Sequence, residues 1–249
     1  MVDDLRGGAE RMGERATAAR EAAVEKAGAA REAIAAVKPK LRGVSHEWAF
    51  FISLFLGAGL IIAAKTPKAT LAVAIYAVSL SALLGTSALY HRVNWTRPSV
   101  RRWMRRLDHS MIFFLIAGTY TPFALLVLDG PLADAILVAV WIGAIAGAIV
   151  EMVWIEHPKW VAALIYLSLG WVAVISFPEL WGSMGTVGTL LVAAGGLLYT
   201  AGAVVYATQR PNPNPRVFGY HEVFHLLVIA GAAAFGAVIW IWVIPVAGR

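Results

Sequence analysis

Three histidines, an aspartate and a serine in this sequence have the types and spacing of a metal-dependent catalytic site. His221 and His225 lie four positions apart, so on a helix both side chains project from one face and can bind one metal ion. His91 closes an earlier apolar stretch and Asp108 opens the next one. Three imidazoles with an open fourth position are typical of a hydrolytic zinc site. Asp108 would hold or deprotonate the zinc-bound water, and Ser87, one helical turn before His91, would orient that water or an oxyanion.

Several of these residues also have simpler interpretations. Asp108 alone can be the N-terminal cap of a helix, and Ser87 alone can be a packing residue. The remaining polar residues near the apolar stretches are predicted to be interface anchors and interface charges; they are His46, His109, His157, Glu151 and Glu156.

The string at residues 221–225 also spells H-E-x-x-H, the zinc-protease signature in which the glutamate is the general base. An intramembrane metalloprotease would therefore need Glu222. That hypothesis leaves His91 and Asp108 without a role, and we prefer the site made of three imidazoles.

Apolar helices must position these residues, because 59% of the 249 residues are hydrophobic and only 14% are charged. A soluble domain would carry about a quarter charged residues, so the composition indicates an integral membrane protein. The chain has no cysteine, which excludes disulfides and thiolate ligands. The net charge is +6, and most of it lies in short segments beside apolar stretches. This placement indicates that the positive residues set the membrane topology and contact anionic lipids rather than bind nucleic acid.

The apolar stretches predict an all-α bundle of seven transmembrane helices. The predicted spans are residues 47–64, 70–91, 110–128, 132–154, 160–177, 186–207 and 222–244. Residues 1–42 are rich in Ala, Arg and Glu, and we expect a helical or disordered tail there rather than a signal peptide. Residues 43–249 would form the membrane domain.

The distribution of positive charge predicts the orientation of this bundle. If the tail is cytoplasmic, 18 of the 21 Lys and Arg residues lie on the inner side and three, Lys65, Lys68 and Arg249, lie outside. The positive-inside rule then places the N-terminus in the cytoplasm and the C-terminus outside. In that topology the three histidines and Asp108 all lie at the cytoplasmic ends of their spans.

The sequence resembles the haemolysin III family in three motifs: SALYH at 87–91, LDHSMIFFLIAGTYTPF at 107–123 and YHEVFH at 220–225. Those proteins are bacterial relatives of the adiponectin and progestin receptors and, more distantly, of alkaline ceramidases. The resemblance extends from about residue 38 to the end of the chain. In one respect this sequence differs: the first span of the family usually carries Asn and, four residues later, His, where this chain has Phe50 and Leu54.

The resemblance implies a zinc ion held by His91, His221 and His225, with Ser87 and Asp108 beside it near the cytoplasmic face. It also implies a multi-pass protein of the cell membrane, which in bacteria is the inner membrane. In related receptors and ceramidases such a site is associated with hydrolysis of lipid amides.

We therefore expect a zinc-dependent hydrolase that cleaves an amide or ester of a membrane lipid. Two other classes stay open: a cytolytic or channel-like membrane protein, as the family name suggests, and a lipid-sensing receptor in which zinc is structural.

Overall fold

The computed structural model describes Arg20 and residues 38–246, and no β-strand occurs in this part of the chain. The tail predicted for residues 1–42 therefore lies almost wholly outside the described residues. The helices are α1 (Val44–Ala63), α2 (Pro67–Arg92), α3 (Pro98–Leu126), α4 (Gly130–Val153), α5 (Lys159–Gly170), a 3₁₀ helix (Trp171–Ser176), α6 (Phe177–Thr208), α7 (Tyr220–Val238), a π-helical turn (Ile239–Val243) and α8 (Ile244–Val246).

Six helical segments of the described chain are long and apolar enough to cross a membrane. They are α1, α2, α3, α4, the continuous segment from α5 to α6, and the segment from α7 to α8. Their outer surfaces carry large apolar side chains, such as Phe55 and Ile62, which are 80% and 84% exposed. Apolar surface on this scale is stable against lipid rather than water. The described part of the chain is thus helical, and the protein is a multi-pass membrane protein.

The longest apolar segment has 50 residues and folds back on itself. Nζ of Lys159 lies 5.5 Å from the centre of the Tyr206 ring, whereas a straight helix would separate these residues by about 70 Å. Nearer the bend, Nε1 of Trp171 donates to Oγ1 of Thr200 at 3.2 Å. Gly185 has φ 67° and ψ −173°, a conformation that favours glycine and interrupts the helix. The chain therefore reverses direction at Gly185.

Helix α2 carries His91 and contacts α7, which carries His221 and His225. It packs against α1 on one side and α3 on the other. Gly118 of α3 lies so close to Ser79 of α2 that a Cβ atom there would overlap the serine side chain. Small residues allow such close helix approach in membranes. The Tyr76 hydroxyl donates to the Ala232 carbonyl at 3.1 Å, so α2 is also bonded directly to α7.

Helix α3 begins earlier than the hydropathy pattern predicts. The apolar span was expected from residue 110, but the helix starts at Pro98, which occupies a first-turn position where proline is favoured. The arginine-rich residues that follow are good helix formers and extend the helix beyond the apolar span. Asp108 therefore lies in the third turn of α3, and the alternative that it caps a helix is wrong.

Candidate metal centre

Three histidine side chains from α2 and α7 meet inside the bundle. His91 lies in the last turn of α2, and His221 and His225 lie in the first two turns of α7. Their ring centres are 4.7 Å apart for His91 and His221, 5.1 Å for His91 and His225, and 4.5 Å for His221 and His225. One nitrogen from each lies within 4.8 Å of the other two, and all three residues are buried. The predicted ligands thus form a buried group that can hold a metal ion.

The geometry and chemistry of this group fit a transition metal. Two imidazoles bound tetrahedrally to one zinc through nitrogen have ring centres about 5 Å apart, close to the separations observed here. The Nε2 atoms of His91 and His221 face each other at 3.0 Å, as two donors aimed at one point would. Imidazole donors suit zinc, copper, iron and nickel. Zinc is therefore one of the metals that these three imidazoles can bind.

Asp108 lies beside the three histidines. Its Oδ2 is 3.6 Å from Nε2 of His91, and its side chain is buried. Ser87 lies one turn before His91 on α2, is buried, and is directed toward the Asp108 carboxylate. The structure thus brings the two residues predicted to be catalytic next to the predicted ligands. A buried carboxylate beside imidazoles can accept or hold a proton.

Glu222 lies between the two histidines of α7 in sequence, but its carboxylate has other partners. One oxygen forms an ion pair with Arg42, and the other accepts the backbone N–H of Gly219 at 2.7 Å. The second bond satisfies a free N–H at the start of α7, which is the ordinary role of a glutamate in a helix cap. Both oxygens of Glu222 are engaged away from the triad, so this arrangement does not support a protease general base.

The segment leading into α1 packs against the loop that precedes α7. The backbone N–H groups of Lys40 and Leu41 donate to the carbonyls of Arg216 and Val217, each at 3.1 Å. Residues 38–42, assigned from sequence to the tail, are thereby fixed against the loop before α7. On α1, His46 is 2% exposed, so its prediction as an interface anchor is wrong.

The two positions of α1 at which the family resemblance leads one to expect Asn and His provide no polar group. Phe50 is partly buried and Leu54 is 46% exposed. The departure noted in the sequence therefore leaves these two positions of α1 apolar, and the polar contact of this helix with the histidine group comes from His46 instead.

A second buried polar cluster, not predicted from the sequence, surrounds Glu151. This carboxylate is 1% exposed and accepts hydrogen bonds from Tyr166 at 3.1 Å and from His157 at 3.0 Å. Nδ1 of His109 lies 3.7 Å from its other oxygen, and Nε2 of His109 is 3.3 Å from the Tyr206 hydroxyl. Glu151, His109 and His157 were expected at an interface, and that prediction is wrong because all three are buried.

The sequence held one signal for this cluster. Glu151 follows an uncharged apolar run, and an ionisable residue inside a membrane bundle usually has a partner. The partners of Glu151 come from α3, from α5 and from the loop that joins α4 to α5, and α6 adds Tyr206 to the cluster. Local sequence carries no information on how these elements pack together.

An apolar cavity of about 300 Å³ lies beside the histidine group. Tyr206 and Phe224 line it, and their rings pack against His221 with centres 6.2 and 5.6 Å away. At another part of its wall are Trp171 and Leu197, which are 51% and 59% exposed. The cavity therefore extends from the two rings that pack on His221 to the apolar outer surface of the bundle.

Comparison with known proteins agrees with this architecture. The family described as "Haemolysin-III related" matches residues 34–235. The chain is 34% identical over 182 residues to Hemolysin-3 of Bacillus cereus, which covers 73% of this chain and 80% of that protein. It is 32% identical over 160 residues to the Hemolysin-3 homolog of Bacillus subtilis (strain 168), covering 64% and 71% respectively. It is also 30% identical over 169 residues to the human monocyte to macrophage differentiation factor, covering 67% and 68%.

The family match includes all three histidines, Asp108 and Ser87, and it covers every membrane-spanning segment of the described chain at least in part. The chain is a member of the haemolysin III-related family of membrane proteins.

Proposed function

We propose that this protein is a zinc-dependent membrane hydrolase that cleaves an amide or ester bond of a membrane lipid. The observation that carries the proposal is a group of three buried imidazoles and a buried carboxylate close to an apolar cavity, two of whose lining rings pack on His221. Neither part alone favours hydrolysis of a lipid. Together they offer a metal-binding group, a proton acceptor and space for an acyl chain.

His91, His221 and His225 would hold the metal. When bound, zinc supplies a Lewis acid that polarises a carbonyl and makes water a better nucleophile near neutral pH. Asp108 is the residue that accepts the proton of the attacking water and returns it to the leaving amine or alcohol. Ser87, next to Asp108, orients the carboxylate or donates a hydrogen bond to the oxygen on which charge develops.

The cavity supports a lipid rather than a soluble substrate. Its lining is almost entirely apolar, and it is continuous with the lipid-facing surface at Trp171 and Leu197. An acyl chain could enter between the helices there, with the scissile carbonyl next to His221. A membrane lipid that moves from the bilayer into this cavity keeps its acyl chain in apolar surroundings, so its entry exposes no apolar surface to water.

We further propose seven membrane crossings, with the N-terminus in the cytoplasm and the C-terminus outside. The reversal at Gly185 supports this count, because the 50-residue segment then crosses twice. The excess of Lys and Arg in the N-terminal segment and between Arg92 and Arg106, from the end of α2 into the first turns of α3, supports the orientation. The site would lie near the cytoplasmic face of the cell membrane, which in a bacterium is the inner membrane.

The experiment is hydrolysis of lipid amides and esters by protein purified in detergent, with product fatty acids measured by mass spectrometry. Asp108→Asn should reduce turnover by about 10²- to 10⁴-fold while zinc content stays at the wild-type value. His157→Ala, which removes a buried histidine outside the triad, is the matched control. Full activity of Asp108→Asn, or no hydrolysis of any lipid by zinc-loaded wild-type protein, would contradict the proposal.

The name of the Bacillus cereus relative, Hemolysin-3, supports a second candidate function, damage to membranes by the protein itself. Release of a dye from liposomes separates the two. Leakage that persists when His221 and His225 are both replaced by alanine would favour membrane damage over hydrolysis.

A further inference from the structure

His46, in the first turn of α1, lies flat against one of the candidate ligands. Its ring centre is 3.7 Å from that of His225, and the two planes differ by 12°. The histidines of the triad meet His225 at steep angles instead, 55° for His91 and 64° for His221. His46 is 2% exposed, and neither of its ring nitrogens has a hydrogen-bond partner in the described residues.

The stacked geometry excludes His46 as a fourth ligand. Two imidazoles that bind one metal have centres about 5 Å apart and nitrogens that converge, whereas parallel rings at 3.7 Å cannot both point at the same ion. In agreement with this, the group of ligand atoms that lie within reach of one another comprises His91, His221 and His225 without His46. His46 covers the face of the His225 ring.

A histidine that binds a metal usually donates its second ring N–H to a carboxylate or a carbonyl, which fixes the plane of the ring. His225 has no such partner among the described residues, and its Nδ1 is buried and unpaired. The ring of His225 is therefore fixed in its plane by packing alone, and His46 is the side chain that lies parallel to it.

The position of His46 is itself tightly fixed. Gly43, at the start of α1, has φ +80°, and a Cβ atom there would lie 2.6 Å from Cβ of His91. Only glycine allows the chain to pass so close to the end of α2 in this conformation. Arg42, the preceding residue, forms the ion pair with Glu222 on α7. The start of α1 is thus attached to both helices that carry the triad.

From this geometry we infer that His46 is a positioning residue of the metal centre: its ring, stacked on His225, fixes that ligand and raises the metal affinity. We assign this role to the flat face of the ring, because it stacks on His225 and neither ring nitrogen has a hydrogen-bond partner among the described residues. The inference rests on metal binding by the triad, which is one part of the proposed function, and is independent of whether the protein hydrolyses lipids.

The test compares His46→Phe, which keeps a flat ring, with His46→Leu, which fills the space without one. Zinc affinity is measured by competition with a chromophoric chelator on the purified full-length protein. We expect His46→Leu to weaken zinc binding by about 10- to 100-fold, the usual effect of losing a partner of a ligand, and His46→Phe to stay within about threefold of wild type.

Two further readouts separate positioning from a general packing role. The increase in melting temperature on adding zinc should fall in His46→Leu and not in His46→Phe, whatever happens to the metal-free proteins. The absorption bands of bound cobalt(II), which report ligand geometry, should change only in His46→Leu.

If both variants bind zinc equally more weakly than wild type, the nitrogens of His46 matter. If both bind zinc with wild-type affinity, the ring does not position His225. Either result overturns the inference. Wild-type protein that binds no zinc would overturn it together with the metal part of the proposed function. Zinc binding without lipid hydrolysis would leave it standing while the hydrolase proposal fails.

Discussion

Replacing His91 with alanine removes the one candidate metal ligand that comes from α2. The remaining two imidazoles, one turn apart on α7, are poor competitors for zinc by themselves. Loss of a partner of a ligand costs about 10- to 100-fold in affinity, so loss of the ligand itself should cost at least about 100-fold. At a zinc concentration about 1,000 times the wild-type dissociation constant, zinc stabilises the wild-type protein by about 4.1 kcal/mol. At the same concentration His91→Ala should gain only about 1.4 kcal/mol.

The assay is thermal unfolding in detergent with and without zinc, together with elemental analysis of the purified proteins. Wild-type protein should carry one zinc per chain and lose it to a chelator, and His91→Ala should carry little. His157→Ala is the control, because His157 is a buried histidine that contacts Glu151 and not the triad. A zinc-induced stabilisation of His91→Ala equal to that of wild type would refute the three-histidine site.

Three more substitutions test other parts of the structure. Glu222→Gln should leave zinc content and any hydrolysis intact. It should lower the free energy of unfolding by about 1.5–3 kcal/mol, because the ion pair with Arg42 is lost. Complete loss of activity would instead indicate that Glu222 is the general base of a protease. Gly43→Ala should lower both the melting temperature and the zinc affinity, because alanine is strained at the positive φ of residue 43 and its Cβ atom would overlap Cβ of His91. An unchanged zinc affinity would contradict the close approach of Gly43 to His91. Gly147→Ala places a methyl group against the Phe113 ring and should cost about 1–3 kcal/mol of stability with no change in zinc affinity, as thermal unfolding and chelator competition would show.

Much of the candidate site could be predicted from the sequence, because its residues belong to short local patterns. The spacing of His221 and His225 implied one helix face, and the ends of the apolar spans placed His91 and Asp108 near them. The structure brings these residues together, with His91 3.6 Å from Asp108. Helix boundaries were less predictable: α3 starts at Pro98 because arginine-rich residues continue the helix where hydropathy stops.

The contacts around the triad could not be predicted from local sequence. A histidine in the first turn of α1 gives no sign that it will lie 3.7 Å from His225, because that contact depends on the packing of α1 against α7. Glu151 likewise has partners on the α4–α5 loop and on α5. Each is a tertiary contact between residues far apart in sequence, and hydropathy and spacing describe only neighbours along one helix.

The sequence separation of the triad has a consequence for how the protein is made. His91 and His221 lie 130 residues apart, so the ribosome completes most of the bundle before the second ligand emerges. A metal ion can be captured only after α7 has been inserted beside α2. Bound metal would then act as a cross-link that closes a 130-residue loop, comparable in entropic effect to a long-range disulfide in a chain that has no cysteine. Loading with metal would therefore be a late step in biogenesis, and one that reports completed insertion of the helices between the two ligands.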